Sequence, residues 1–184
     1  ALASQSVALG YKAVAGALGA DNKIAGLSSV SIGSYTKTKG SYSVAIGYNT
    51  TASTIGDIAL GNTATASGGG TVALGTQAQT NGLYAVAIGT NSAANSPSSV
   101  ALGTNSTASV SGSVAIGAGS VANRAAGVAG YDPSTKTTST KVDDSTWTST
   151  AAAVAVGDAD EGVTRQITGV AAGSEVGRES CRER

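Results

Sequence analysis

The stretch that decides the fold is SVAIGYNTTASTIGDIALGNTATASGGGTVALG, residues 43–75. Three times in it, a small or acidic residue is followed by Val or Ile, Ala, Ile or Leu, and Gly. The glycine that closes this phrase recurs every 14 residues along the chain, at Gly33, Gly47, Gly61, Gly75, Gly89, Gly103 and Gly117. A fixed period of this length predicts a solenoid, in which stacked repeats share one core.

Each repeat is predicted to be one coil of two short strands and two turns. Val44-Ala45-Ile46 alternates as a strand does, and a second segment with small residues at Thr50 and Ala52 follows the closing glycine. Ordering 14 residues costs about 14 to 28 kcal/mol at about 1 to 2 kcal/mol each, whereas burying one Val and one Ile returns about 3 to 6 kcal/mol. A lone coil therefore cannot fold, and we predict an all-β parallel roll of stacked coils.

The alternation also leads to a prediction about which side chains face inward. We expect Val44 and Ile46 and their equivalents to fill the roll, so that the intervening Ala points outward. A solvent-facing strand more often carries Thr or charged residues, so this stripe of alanines indicates packing against other copies of the chain. The predicted interface residues are Ala45, Ala59, Ala73, Ala87, Ala101 and Ala115.

Both ends of the repeat array depart from the period. AGALG at residues 15–19 keeps the 14-residue step, whereas SVALG at residues 6–10 lies nine residues earlier, so the first coil is predicted to be irregular. Residues 127–152 form a polar insertion, predicted to be a hairpin or long loop, before a last strand. Its Trp147 is predicted to close the end of the core or pack at the base of an oligomer, in preference to contacting a ligand. The predicted organisation is thus a repeat head (1–126), the insertion (127–152), a last strand with a connecting segment (153–174) and a tail (175–184).

Composition argues against several functional classes. Only 12% of residues are charged, the net charge is zero, and Asp57 is the one charged residue between positions 43 and 123, so nucleic-acid binding is not expected. The absence of His argues against histidine-based catalysis and most metal sites, and we expect no enzyme activity, cofactor or metal. Acidic residues at Asp143, Asp144, Asp158, Asp160 and Glu161 are interpreted as solvated loop residues. No apolar run is long enough to cross a bilayer, and no signal peptide is visible. Cys181 is the one cysteine in the sequence, so it cannot form an internal disulfide.

Over most of residues 6–126, the SVAIG and SVALG phrases at 14-residue steps resemble the head of trimeric autotransporter adhesins, the YadA-like surface proteins of Gram-negative bacteria. AVAVG at 153–157 followed by TRQITGVAAG at 164–173 resembles the neck that joins head to stalk. This resemblance implies a left-handed parallel β-roll, assembly as a homotrimer, and a neck built by Arg165, Gln166, Ile167 and Val170. Residues 175–184 depart from the family's pattern, since no heptad spacing is visible there.

The resemblance further implies a non-enzymatic adhesin head at the cell surface, held to the outer membrane by parts absent from this sequence. Collagen, fibronectin and laminin of the host matrix are the implied ligands, together with self-aggregation. Tyr11, Tyr35, Tyr42 and Tyr48 are candidate contact residues, but the sequence assigns no ligand-binding site. A structural spacer and an ice-binding solenoid remain alternatives, although only Thr36-Lys37-Thr38 has the Thr-x-Thr spacing that suits ice.

Overall fold

The computed structural model describes residues 2–18, 24–25 and 27–171 of the chain. In these residues the first strand of every coil joins one parallel sheet of nine strands, and the second strand joins another of eight. The first sheet consists of Val7–Leu9, Val30–Ile32, Val44–Tyr48, Ile58–Asn62, Val72–Leu74, Val86–Ile88, Val100–Leu102, Val114–Ile116 and Val154–Ala155. The second consists of Val14–Ala15, Lys37–Thr38, Thr51–Ala52, Thr65–Ala66, Gln79–Thr80, Ala93–Ala94, Thr107–Ala108 and Val121–Ala122.

Neighbouring coils are joined in one register by backbone hydrogen bonds. Val72 pairs with Val86 and Ala73 with Ala87, so each residue of the phrase lies over its equivalent 14 positions away. In the second sheet Thr65 pairs with Gln79 in the same way. The bonds between strands therefore run along the long axis of the roll, and the prediction of an all-β parallel solenoid is confirmed.

The predicted direction of the side chains is wrong. Ala45 and its five equivalents, which we expected to face outward, are fully buried within the single chain, at 0% relative exposure. Val44 and Ile46 are instead half-buried, and Ile58 is 42% exposed. The alanines form the core of the roll, and the Val, Ile and Leu side chains cover the outside of the first sheet.

The reason for this reversal is the narrow space between the two sheets. Inward side chains of opposite strands in one coil touch directly: the hydroxyl of Thr80 lies 2.9 Å from that of Thr71, and the hydroxyl of Ser31 lies 2.8 Å from that of Thr36. At that separation the inward positions take Ala, Ser, Thr and, in one coil, Asp57, and larger aliphatic side chains would overpack the core. Other inward positions are accordingly small as well, including Ser43, Ser99, Ser113, Thr50, Ala52, Ala66, Ala94 and Ala108.

A column of glycines at the end of the first strand lets adjacent coils approach closely. Gly47 has a φ of +139°, and a Cβ atom placed on it would lie 2.0 Å from the carbonyl oxygen of Gly61. Gly61, with a φ of +144°, has the same relation to Gly75 at 2.3 Å. Glycine is therefore required at this position for both conformational and steric reasons.

The first coil contains an excursion that explains its irregular spacing. Val7–Leu9 pairs directly with Val30–Ile32, so the nine extra residues lie outside the ladder. Within the excursion Ala17–Leu18 pairs antiparallel with Ile24–Ala25. The interpretation of AGALG as a degenerate copy of the phrase is thus wrong for its described part, because Ala15 belongs to a strand of the second sheet and Ala17–Leu18 leave the roll. Gly19 lies outside the described residues.

The second excursion is the chain segment between the strand Val121–Ala122 and Val154–Ala155, the last strand of the first sheet. In it Tyr131–Asp132 pairs antiparallel with Thr137–Thr138 as a short hairpin, and Ala129 forms an antiparallel bridge with Thr148. The chain then returns to the roll, where Val154 pairs with Val114. The tail at 175–184, with Cys181, lies outside the described residues. In the described part, no helix has the length and apolar character to cross a bilayer.

The glycine column leads to a testable prediction. Gly61→Ala forces a side chain into the backbone of the next coil at a φ that L-residues rarely adopt, and is expected to lower the free energy of unfolding by at least about 2 kcal/mol. Gly112→Ser is the matched control, because Gly112 has open space around it and Ser98, its equivalent one coil earlier, already has a φ of 55°. Thermal unfolding followed by circular dichroism measures both, and equal melting temperatures for the two variants would contradict the role given to the column.

Candidate functional surfaces

The outer side of the first sheet is an unbroken apolar surface, called here the apolar face. Each coil contributes the two side chains that flank the small central residue of the phrase, and none of these flanking side chains is buried in the single chain. The apolar face consists of Val7, Leu9, Val30, Ile32, Val44, Ile46, Ile58, Leu60, Val72, Leu74, Val86, Ile88, Val100, Leu102, Val114 and Ile116. An exposed apolar surface of this extent marks an interaction site.

The outer side of the second sheet has a different character. One residue per strand points outward there, and most of them are polar: Lys37, Thr51, Thr65, Gln79 and Thr107, together with Val14, Ala93 and Val121. This face suits solvent, whereas the apolar face does not. Sequence reasoning missed the apolar face because it placed these Val, Ile and Leu side chains inside. The available signal was their occurrence on both sides of a small residue, Ala or Ser, in every phrase.

The turn that follows each closing glycine, called here the first turn, forms a row of exposed side chains along one edge of the roll. Successive turns are stacked by backbone hydrogen bonds, from Tyr35 N to Tyr11 O at 2.8 Å and from Thr63 N to Tyr48 O at 2.8 Å. The row begins with Tyr11, Lys12, Tyr35 and Tyr48 and continues with Asn49, Asn62, Thr63, Thr76, Gln77, Thr90, Asn91, Thr104 and Asn105. We call it the first-turn row.

Three of the four tyrosines singled out from the sequence come together in this row. The rings of Tyr11 and Tyr35 lie 5.4 Å apart, centre to centre, and those of Tyr35 and Tyr48 lie 5.9 Å apart, both pairs in edge-to-face geometry. The ammonium group of Lys12 lies 5.3 Å from the centre of the Tyr11 ring and 5.4 Å from that of Tyr35. Tyr42 lies instead on the turn at the other edge of the roll, where its N–H bonds Leu27 O.

Asp57 is the one acidic residue of the regular coils, and its role is structural. Its fully buried carboxylate accepts hydrogen bonds from the backbone N–H of Thr54 at 2.8 Å, of Gly69 at 3.0 Å and of Thr71 at 3.1 Å. The hydroxyls of Thr54 and Thr71 also donate to it. The carboxylate thereby ties two successive coils together, and its oxygens face the turn backbone and not a substrate.

At the end of the roll, Arg165 of the predicted neck closes the last coil. Its guanidinium donates to the hydroxyl of Ser120 at 3.0 Å and to the carbonyl oxygens of Ala118 and Val156. These carbonyl groups lie in the last coil, where no further coil follows to donate backbone hydrogen bonds to them, and the guanidinium group of Arg165 supplies the donors. Of the other predicted neck residues, Gln166, Ile167 and Val170 are exposed in the single chain, Ile167 at 69%.

Trp147 has its partners within the insertion. Its backbone carbonyl oxygen accepts a hydrogen bond from the backbone N–H of Gly130 at 2.6 Å, and its backbone N–H donates to the backbone carbonyl oxygen of Asp144 at 2.9 Å. Its half-buried ring lies 5.7 Å from the ammonium group of Lys141. The prediction that it closes the core therefore finds no support in these contacts, since Arg165 covers the end of the roll.

The acidic residues of the insertion cap turns. The hydroxyl of Ser134 and its N–H both donate to Asp132, which lowers the pKa of that carboxyl. The N–H of Thr146 donates to Asp144 at 2.8 Å and lowers the pKa of Asp144 in the same way. Asp158 accepts from Asp160 N at 3.1 Å. Among the described residues, no three side chains of the metal-ligating types converge.

Comparison with known proteins identifies the repeat. Residues 25–50, 39–64, 52–76, 66–92 and 94–120, together more than half of the chain, match the family model described as the YadA head domain repeat. The crystal structure of the collagen-binding domain of the Yersinia adhesin YadA superposes with a TM-score of 0.56 and 24% identity, covering 82% of this chain and 76% of that one. No match was found among curated proteins.

The capped turns of the insertion predict a response to acid. Because the folded pKa values of Asp132 and Asp144 lie below their unfolded values, these carboxylates stabilise the insertion fully above about pH 4, and that contribution is lost as the pH falls through the folded values. Fluorescence of the lone Trp147 is expected to change as the pH is lowered below about 4, and to change much less in Asp144→Ala. An emission spectrum that stays constant over this range would show that the caps do not hold the insertion.

Proposed function

Because the chain belongs to the family of YadA head repeats and folds as a head of the trimeric autotransporter adhesin type, we propose that it binds host extracellular matrix as a homotrimer, without catalysis. The observation that carries this proposal is the apolar face. A roll whose large aliphatic side chains all lie on the outside of one sheet is incomplete as a single chain, since water would cover an apolar surface running its whole length.

In the proposed trimer the apolar faces of three rolls meet around a common axis. The interface residues are then the Val, Ile and Leu side chains that flank the alanines, with the polar second sheet directed to solvent. The alanines act indirectly, because their small size lets the coil close and directs the larger neighbours outward. Such an assembly has closed symmetry, so it ends at a fixed number of copies.

The proposed ligand class is collagen. The similar Yersinia domain is described as collagen-binding, and fibronectin and laminin are further candidates. Apart from Asp57, which is buried, the coils from residue 43 to residue 123 carry no charge, so recognition along these coils rests on aromatic contacts and neutral hydrogen bonds. Rows that repeat along each roll, and again in each copy, allow weak contacts to add up through multivalency.

We place the protein at the surface of a Gram-negative bacterium, attached to the outer membrane through segments beyond the neck. Arg165 joins the neck to the last coil, while Gln166, Ile167 and Val170 stay exposed in one chain. In the proposed trimer they contact the neighbouring copies, where the chains cross. Self-aggregation of cells through paired heads belongs to the same proposal.

The two alternatives have less support. An ice-binding face needs regular Thr rows, but the outward residues of the second sheet offer one Thr per strand, at Thr51, Thr65 and Thr107, interrupted by Gln79 and Ala93. A spacer would need no exposed aromatic residues, and the first-turn row has three. Ligand binding separates the spacer from the adhesin directly.

Lysine substitutions at two neighbouring residues test the trimer, because the side chain of one points out of the roll and that of the other points into it. Ile88→Lys places a charge on the apolar face and is expected to reduce the mass in light scattering from about 53 kDa, three times 17.6 kDa, towards that of one chain. Ala87→Lys places the charge inside the roll and is expected to unfold it. Gln79→Lys on the second sheet is the control that stays assembled. If Ile88→Lys kept the full mass and a native circular dichroism spectrum, the apolar face would not be the interface.

Adhesion is tested by surface plasmon resonance of the full chain over immobilised collagen, fibronectin and laminin. Binding to collagen is expected, with much slower dissociation for the trimer than for Ile88→Lys, because avidity requires several copies. Absence of binding to all three proteins would favour the spacer.

A further inference from the structure

We propose that the tyrosine end of the first-turn row is the collagen subsite, and that Tyr11, Tyr35 and Tyr48 receive a proline-rich segment in polyproline II conformation. This inference rests on the collagen binding proposed above and assigns it to particular side chains. It commits to one occupant, an extended proline-rich chain lying along the axis of the roll.

The three rings form a continuous and accessible aromatic surface. Tyr11 is 62% exposed and Tyr48 is 53% exposed, with the half-buried Tyr35 between them. Each ring stands nearly perpendicular to the next, at interplanar angles of 83° and 76°, so the surface is corrugated. Aromatic-lined grooves of this kind are the usual receptors for polyproline II segments, because the pyrrolidine rings pack against them and the ligand loses little conformational entropy.

The spacing of the coils matches the period of such a ligand. Tyr11 and Tyr48 occupy the same position of the first turn, two coils apart. At about 4.8 Å per strand, two coils span about 9.6 Å. One turn of polyproline II has three residues and a rise of about 9.3 Å. A repeating triplet can therefore place an equivalent residue against Tyr11 and Tyr48, with Tyr35 between them.

Beyond the rings, the row supplies hydrogen-bond donors. Asn49, Gln77 and Asn91 follow Tyr35 at the same turn position, with Thr63 in the coil between Asn49 and Gln77, and the three amide side chains are exposed. A shallow groove lined by Thr63, Gln77, Gln79, Asn91, Ser92 and Ala93 runs beside them. A polyproline II chain has no hydrogen bonds within itself, so those carbonyl groups that face outward from a triple helix are available to such donors.

The turn position of Tyr35 has a positive φ in coil after coil, from 54° at Lys12 and 61° at Tyr35 to 56° at Asn105, so Asn can replace Tyr35 without a change of backbone. The cluster also lies at the end of the first sheet opposite to Arg165 and the neck, which is the end that meets a partner first if the neck leads to the anchor.

The test uses the full chain and a synthetic triple-helical (Gly-Pro-Pro)₁₀ peptide, with a Gly-Ser peptide of the same length as the negative probe. Tyr35→Asn and Tyr48→Asn replace each ring by the residue that the next coil carries at that position, Asn49 and Asn62, so both variants should fold. Each is expected to bind the peptide about tenfold more weakly, as for a buried aromatic contact at an interface. Tyr42→Ser, which removes a 64% exposed tyrosine from the other edge, is expected to bind within about twofold of the unmodified chain.

The outcomes separate this inference from the proposed function. If the unmodified chain binds collagen and the peptide while Tyr35→Asn and Tyr48→Asn bind equally well, the subsite is wrong and the adhesin remains. If the unmodified chain binds neither, both proposals fail. If Lys12→Gln and added salt abolish binding to collagen while the tyrosine variants keep it, the contact is an ion pair between Lys12 and carboxylates of collagen, and the polyproline assignment is overturned.

Discussion

The width of the roll is the constraint on which the rest of the structure depends. Two strands joined by two short turns in 14 residues bring the sheets so close that hydroxyl groups from opposite sides, such as those of Thr71 and Thr80, are within hydrogen-bonding distance. A core this thin holds Ala, Ser and Thr, with Asp57 in one coil, and it offers little aliphatic surface to bury. Backbone ladders and close contact between coils therefore carry much of the cohesion, and the glycine column makes that contact possible.

Since large side chains do not fit in the core, they lie on the outside of the roll, and each outer surface carries a different set of residue types. The first sheet collects Val, Ile and Leu, the second sheet collects Thr and Gln, and the first turns collect Tyr, Asn and Thr. We propose that the first of these surfaces contacts other copies of the chain, the second faces water and the third contacts a ligand. Because every coil repeats the same division, each surface extends along the full length of the roll.

The period, the strands and the turns were predictable because a 14-residue repeat with alternating residues leaves few alternatives. Alternation alone does not say which side is inside, and the usual preference of Val and Ile for the core led to the wrong choice. The volumes of Ser43 and Ala45 on one side, matched by Thr50 and Ala52 on the facing strand, contained the answer. The meeting of Tyr11, Tyr35 and Tyr48 could not be inferred, because the excursion after Gly16 changes the step between the first two coils.

The direction of the inter-coil hydrogen bonds has a mechanical consequence. An adhesin held at its neck and bound at its far end is pulled along the axis, so the interfaces between coils carry the load in series and the weakest one sets the strength. Most coils of the first sheet pair through three residues or more, whereas the last strand pairs only through Val154 and Ala155. Arg165 bridges this joint from Ser120 and Ala118 to Val156. The guanidinium thus acts as a brace where tension would first open the roll.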